Sequence, residues 1–486
     1  MTANADAMSQ SPSEDGLSGP RFLSAVATLV IAVGMSSLDT SIANTALPTI
    51  ATDVNASAAA SVWVVNAYQL ALVVSLLPIA SLGEIIGYRR VYVWGLAGFT
   101  LASLLCAVSW SLPTLTAARV IQGFGASGIM SVNTALIRFI YPSRSLGRGV
   151  GYNALVVAVS TAIGPTVAAA ILSVGSWQWL FAVNVPLGAV AFVLAVRVLP
   201  ETKHAGYPFD VRSAALNALT FGCLIFGIGE AAHGVSPAVS GTLLGVAALS
   251  GVLLVLWQLR LPAPMFPVDL YRRPMFALSS LTAFCSFSAQ GLAFVSLPFY
   301  FQSVLGLSAV QTGLLLTPWP VMTAVLAPIA GPLSDRYPPA ILGGIGLAIL
   351  CVGLALVAGL PGHPGTAGIV WRMMVCGAGF GFFQSPNLKA IMSSAPPDRS
   401  GGASGIVATS RLVGQAVGAA LVALCFGISM PHGPALALSL GAVFAGTGSL
   451  VSFSRLAAGP AGQAIPGVSS SWPSARLCPG EGTDGC

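Results

Sequence analysis

The stretch Leu38-Asp39-Thr40-Ser41-Ile42-Ala43-Asn44-Thr45-Ala46-Leu47-Pro48 closes an apolar run that begins near residue 21, and it decides how the chain is read. After Arg21 that run holds one ionisable residue, Asp39. A bilayer-spanning helix needs about 20 mostly apolar residues, and this run is long enough. An ionised carboxylate inside such a helix costs several kcal/mol, so Asp39 must face the interior of a bundle or a wet cavity. One span with one buried acid therefore predicts more spans around it.

The composition agrees. The 486 residues are 55% hydrophobic and 7% charged, against about 25% charged in ordinary soluble domains. That excludes a soluble globular enzyme, and a mean hydropathy of +0.85 excludes disorder as the general state. The 55 Gly and 33 Pro fit membrane helices, where small residues let helices approach closely and neighbours rescue freed backbone groups. The 8 Cys are scattered without a C-x-x-C pair, and the 4 His (His204, His233, His363, His432) are isolated. No metal site and no disulfide framework is expected.

Segmentation at Pro, Gly and charge clusters predicts 14 spans, near 21–48, 60–82, 90–111, 114–140, 148–173, 177–199, 211–232, 238–259, 275–303, 309–333, 339–360, 366–391, 402–429 and 433–455. The expected fold class is an all-α polytopic membrane protein. It divides into a disordered N-terminus (1–20), a six-helix half (21–199), two linker helices (210–260), a second six-helix half (274–455) and a disordered tail (456–486). Lys and Arg set the orientation. Arg89, Arg90, Arg138, Arg144, Arg148, Arg197, Lys203, Arg212, Arg260, Arg272, Arg273, Arg336, Lys389, Arg399 and Arg455 all fall at one set of span ends, and the opposite loops hold no Lys or Arg. Both termini are then expected in the cytoplasm, and the net charge of +6 is a topology signal rather than a nucleic-acid footprint. No cleavable signal peptide is expected, because residues 1–20 lack a basic n-region.

A repeat underlies the segmentation. Ala80-Ser-Leu-Gly-Glu84-Ile-Ile-Gly87-Tyr-Arg89-Arg90 leaves the second span, and Gly331-Pro-Leu-Ser-Asp335-Arg336 leaves the tenth. Arg119 near the start of span 4 matches Arg372 near the start of span 12, and Leu47-Pro48 closing span 1 matches Leu297-Pro298 in span 9. Two homologous halves around a midplane site are the architecture of an alternating-access transporter.

Further motifs are Arg119-Val-Ile-Gln122-Gly123-Phe-Gly125, Ile163-Gly164-Pro165 and Trp177-Gln-Trp-Leu-Phe-Ala-Val-Asn184-Val-Pro186-Leu-Gly188. With the Asp39 segment and the Gly87-Tyr-Arg-Arg loop, their order over residues 21–455 resembles the major facilitator superfamily, specifically its 14-span drug:proton antiporter branch (EmrB/QacA-type exporters). The resemblance implies proton relay through Arg119 and an antiporter motif at Gly164-Pro165, where Pro removes a backbone bond and kinks the helix. Here Ser160, Ala168 and Ala169 stand where the family often has Gly, and Ala80, Glu84 and Ile85 depart from the family's loop pattern.

Desolvation raises a carboxylate pKa, which suits Asp39 to proton uptake and release. At about 1.5 Å of rise per residue, Asp39 and Arg119 lie at depths about 5 Å apart, within an arginine's reach. Arg411 in span 13 and Glu230 at the end of span 7 are further candidates for proton coupling or substrate contact. Glu84, Gly87, Arg89, Arg90, Gly331, Asp335 and Arg336 read as conformational latches. In that reading Glu84 faces the start of span 13 (Gly401, Gly402) and Asp335 faces the start of span 5 (Gly147, Gly149), each acid at a helix N-terminus. Asn44, Pro48, Gln122, Gly123, Asn184 and Pro186 read as helix-packing positions.

The expectation is a monomeric exporter of amphiphilic, preferably cationic compounds, driven by protons across a cytoplasmic membrane, with the bacterial inner membrane favoured. Its partners are a small-molecule substrate and the lipid bilayer, with no nucleic acid and no cofactor, and a periplasmic adaptor is left open. Gly377-Ala-Gly379-Phe-Gly381 lies inside a span, no Walker A sequence appears, and so ATP is not the energy source. Arg119, Arg372 and Arg411 keep an anionic substrate open. A narrow-specificity metabolite exporter, a proton symporter and a non-transporting sensor remain alternatives. An intramembrane enzyme would need a cluster of reactive groups at depth, and none is seen.

Overall fold

The computed structural model describes residues 16–142, 145–202, 208–232, 237–261, 268–361, 364–395, 400–429 and 432–457. The terminal segments expected to be disordered (apart from the few described residues at their inner edges), together with Arg144, Lys203, His204, His233, His363 and Arg399, lie outside these residues. Among the described residues fourteen helices are long and apolar enough to cross a membrane: α1 (Gly19–Asp53), α2 (Ala58–Ile86), α3 (Tyr88–Ala107), α4 (Leu112–Ile140), α5 (Arg148–Val174), α6 (Trp179–Val198), α7 (Val211–Ala231), α8 (Pro237–Gln258), α9 (Pro274–Val304), α10 (Ala309–Arg336), α11 (Pro339–Ala358), α12 (Thr366–Ser394), α13 (Gly405–Ile428) and α14 (Gly433–Ser454). The chain is a multi-pass, all-helical membrane protein.

In lipid every backbone group must find its partner inside the protein, so each proline within a span poses an accounting question. Two are answered by side chains from other helices. Pro165 cannot donate to the carbonyl of Thr161, and the Ser41 hydroxyl of α1 donates to that oxygen instead, at 3.0 Å. Pro78 likewise frees the carbonyl of Val74, and the Asn217 amide of α7 donates to it at 2.8 Å. That bond, together with Gly229 packed on Trp63, seats the inserted pair α7–α8 against the first half. Pro48 does not close the first helix as expected: α1 continues to Asp53 with Pro48 buried inside it.

The repeat is visible in close helix approaches. Gly95 of α3 lies against the main chain of Gly128 of α4, and Gly346 of α11 lies against Gly379 and Phe383 of α12; a Cβ on either first glycine would meet main chain within 2.7 Å. The two pairs are 251 residues apart at both members, which fixes the register of the halves. Arg372 then falls two positions away from the counterpart of Arg119, and two residues are about 200° around an α-helix. The sequence match of these arginines is thereby corrected. Arg119 points inward, while Arg372 is half-exposed, bonds to the carbonyl of its own Gly368 at 2.7 Å and lies over Trp371.

The halves meet along α1–α9, α2–α13 and α5–α10. Among the described residues three side-chain hydrogen bonds join them. Thr49 donates to Gln302 Oε1 at 3.4 Å, Gln302 Nε2 donates to the carbonyl of Thr45 at 3.4 Å, and Thr166 and Thr317 share a bond of 2.9 Å. All three lie toward the end of the bundle that carries no Lys or Arg in its loops.

Candidate functional site: a buried acid and arginine in the first half

Asp39 and Arg119 are 1% and 0% exposed, and Arg119 Nη1 donates to Asp39 Oδ2 at 2.5 Å. Two neutral amides complete the carboxylate's shell. Gln122 Nε2 at 2.9 Å and Asn184 Nδ2 at 2.8 Å both donate to Asp39 Oδ1. Arg119 Nη1 also donates to Gln122 Oε1 at 2.6 Å, and its Nε donates to the carbonyl of Val64 at 3.0 Å. Gln122 reaches the Ser103 hydroxyl at 2.9 Å. One carboxylate thus ties α1 to α4 and α6 directly, and to α3 and the backbone of α2 through its partners.

Helix geometry explains the convergence. Arg119 and Gln122 are three residues apart, so they share a face of α4. Gly123 turns its bare side to α2, where a Cβ would lie 2.5 Å from the carbonyl of Tyr68. That close approach stacks the guanidinium 4.2 Å from the Tyr68 ring centre, with the Phe181 ring at 5.5 Å. The rings shield the ion pair in a low-dielectric pocket where Coulomb attraction is strong. Arg119 Nη2 has no hydrogen-bond partner although it is buried.

The other sequence candidates are placed as follows. Gln122 and Asn184, read as helix-packing positions, bond directly to Asp39, and Ser103 and Tyr68 join them without having been singled out. In a membrane helix Ser, Asn and Gln are too common to be flagged one by one; only the third dimension gathers them. Gly164 packs so tightly on Ser41 that a Cβ would overlap the hydroxyl, and Pro165 is buried with its carbonyl against Gly313 of α10. Asn44 is half-buried and Pro186 is exposed. Glu230 is half-buried at the end of α7 and among the described residues makes no hydrogen bond or ion pair with the Asp39 cluster, although its neighbour Gly229 packs on Trp63 of α2. Arg411 sits between the halves and is treated below.

In the loops, Gly87 adopts φ 100°, a conformation that suits glycine at the turn from α2 to α3. Arg89 pairs with Glu201 at 3.1 Å and also bonds the carbonyl of Val196, while Asp335 pairs with Lys389 of its own half. In this conformation Asp335 is therefore held by α12 rather than by the start of α5. Glu84, Arg90 and Arg336 are exposed, and Gly331 has open space around it. A group of three or more His, Cys, Asp or Glu able to hold a metal does not occur among the described residues. One buried arginine went unremarked except as a topology charge. Arg455, 1% exposed, donates to Ser279 Oγ at 3.0 Å and Asn387 Oδ1 at 2.9 Å, joining α9, α12 and α14.

Comparison with known proteins agrees with this geometry. The Major Facilitator Superfamily profile matches residues 29–419. "Uncharacterized transporter YebQ" of Escherichia coli K12 is 54% identical over 444 residues, covering 91% of this chain and 97% of that protein. The multidrug efflux pump LfrA of Mycolicibacterium smegmatis is 30% identical over 83% of this chain and 80% of its own. The tetracenomycin C resistance and export protein of Streptomyces glaucescens is 31% identical over 81% and 74%. Among solved structures, a bacterial homologue of the lysosomal transporter Spinster in an inward-facing, unoccupied conformation superposes with a TM-score of 0.66 at 14% identity, over 91% of this chain and 98% of that one. Fourteen spans, two related halves and the motif set carried on them have one home, and the chain belongs to the major facilitator superfamily.

Proposed function

We propose that this transporter is a proton-coupled antiporter that exports amphiphilic compounds by alternating access, with Asp39 as the coupling acid. The observation that carries the reading is the fully buried Asp39–Arg119 pair and its ring of neutral donors. An ionised Asp39 accepts three hydrogen bonds and holds α1 against α4 and α6. A protonated Asp39 loses the charge that holds Arg119, and breaking a buried pair is worth about 3–5 kcal/mol. That is enough to bias two packings of the bundle that differ by a few kcal/mol.

The change has a short route to the other half. Asp39 and Ser41 share α1, Ser41 holds the freed carbonyl at Pro165, and Pro165 rests on Gly313 of α10. Loosening α1 therefore disturbs the α5–α10 seam beside the Thr166–Thr317 bond. By the rule that basic loops stay inside, the Arg-bearing span ends face the cytoplasm, and the hydrogen-bonded seam is an external seal. In this reading the loop acids Glu84 and Asp335 are latches that exchange partners when the seal opens. The working unit is a monomer in the cytoplasmic membrane, the proton gradient supplies the energy, and no cofactor takes part. The cationic preference expected from the sequence weakens, because Asp39 is neutralised by Arg119.

Purified protein in liposomes with an imposed proton gradient tests the reading. A panel of lipophilic cations, neutral drugs and organic anions is added while proton flux and solute accumulation are followed. Wild type is expected to release protons with at least one compound, and Asp39→Asn to abolish the coupling while keeping binding. Intact coupling in Asp39→Asn would remove Asp39 from the mechanism.

A further inference from the structure

Arg411 is the charge that the Asp39 cluster leaves over. It stands six residues into α13, inside the bundle, and the Tyr68 hydroxyl is the ionisable group within its electrostatic reach. Tyr68 is the same ring that stacks on Arg119, so Arg411 approaches the coupling cluster from the opposite half. Protein surrounds Arg411, yet its side chain keeps partial exposure. Among the described residues it takes part in no ion pair and makes no hydrogen bond.

Among the described residues no acid faces it. One turn along, Gln415 donates to Gln290 Oε1 at 2.9 Å. In α9 the counterpart of Asp39 is Ala289 by the Leu-Pro match and Gln290 by the glycine register, so the second half has a neutral residue where the first has a carboxylate. Asp39 already spends its charge on Arg119. The other buried cations contrast with it: Arg119 has a carboxylate, and Arg455 has hydroxyl, amide and carbonyl partners. A guanidinium at membrane depth with no partner and some accessible surface is expected to face water, and it is the group an incoming anion would meet. Its planar fork matches a carboxylate in two parallel hydrogen bonds.

We propose that Arg411 binds the carboxylate of an amphiphilic organic acid in the transport path, which makes organic anions the preferred substrate class. The inference rests on the transport reading above but not on its proton coupling.

The test is ligand-induced thermal stabilisation of the purified full chain in lipid nanodiscs, without a gradient. Fluorescein and cholate serve as anions, with rhodamine 123 and tetraphenylphosphonium as cations. Wild type is expected to be stabilised by the anions and much less by the cations. Arg411→Gln should weaken anion binding by about tenfold or more, Arg411→Lys should keep part of it, and Arg411→Glu should shift the preference to the cations. Unliganded melting of each variant confirms that it is folded, and the gain of cation binding in Arg411→Glu is a readout that misfolding cannot produce. Stabilisation of wild type by the cations alone, by neither class, or of Arg411→Gln by the anions as strongly as wild type would overturn the proposal. Failure of Asp39→Asn to uncouple protons would leave it standing, so the two readings fall separately.

Discussion

Arg119 and Arg455 are both buried whole, one in each half of the molecule, and they keep different company. Arg119 lies within the bilayer-spanning part of α4 and faces a carboxylate, two aromatic rings and the backbone of α2. Arg455 lies just past the end of α14 and faces Ser279, Asn387 and Ser452, none of which carries charge at any ordinary pH. The fold is repeated, but the titratable centre is not. A symmetric scaffold with one ionisable focus can use the first half as the element that changes state and the second as the element it works against.

The comparison breaks first at Arg119. Arg119→Ala leaves Asp39 buried without its cation, and the loss is expected to be about 3–5 kcal/mol, with transport abolished. Thermal unfolding in detergent measures it, and adding Asp39→Asn should recover part of the stability because the stranded charge is gone. Arg455→Ala removes only neutral partners from a buried site and should cost about 1–3 kcal/mol, with proton coupling preserved in the molecules that fold. Equal coupling defects in the two variants would erase the distinction between the halves.

A sharper cut falls at Ser41→Ala. It orphans the Thr161 carbonyl at the proline kink, at an expected cost of about 1–3 kcal/mol, and it should slow transport without changing how binding depends on pH. Unchanged turnover in liposomes would disconnect α1 from the α5–α10 seam. The smallest effect is expected at Arg372→Gln, within about 0.5 kcal/mol, since this side chain bonds its own helix and lies over the exposed Trp371. A loss of coupling there, measured by the same proton-flux assay, would restore the mirror image of Arg119 that the helix register denies.

The fold was legible because length and hydropathy suffice for spans: each of the 14 runs read from the sequence is a helix here. Asp39 and Arg119 were legible because ionisable residues in apolar runs are rare and must find each other. Gln122, Asn184 and Ser103 were not, since neutral polar residues are ordinary in such helices and their convergence is a property of packing. The match of Arg119 with Arg372 misled for a plainer reason. A slip of two residues is invisible in a sequence alignment by eye but turns a side chain to the opposite face. Pro48 misled because a proline that reads as a stop in water is tolerated inside a membrane bundle.

The seam between Thr49, Thr45, Gln302, Thr166 and Thr317 is made of hydroxyls, an amide and a carbonyl. No member of those bonds titrates or carries charge. Changes in acidity or salt therefore have no direct grip on these contacts, which respond only through the helices that carry them. The bonds themselves are equally strong in acid, brine or dilute water. Whatever chemical information reaches the seam must then arrive through the packing of the helices behind it.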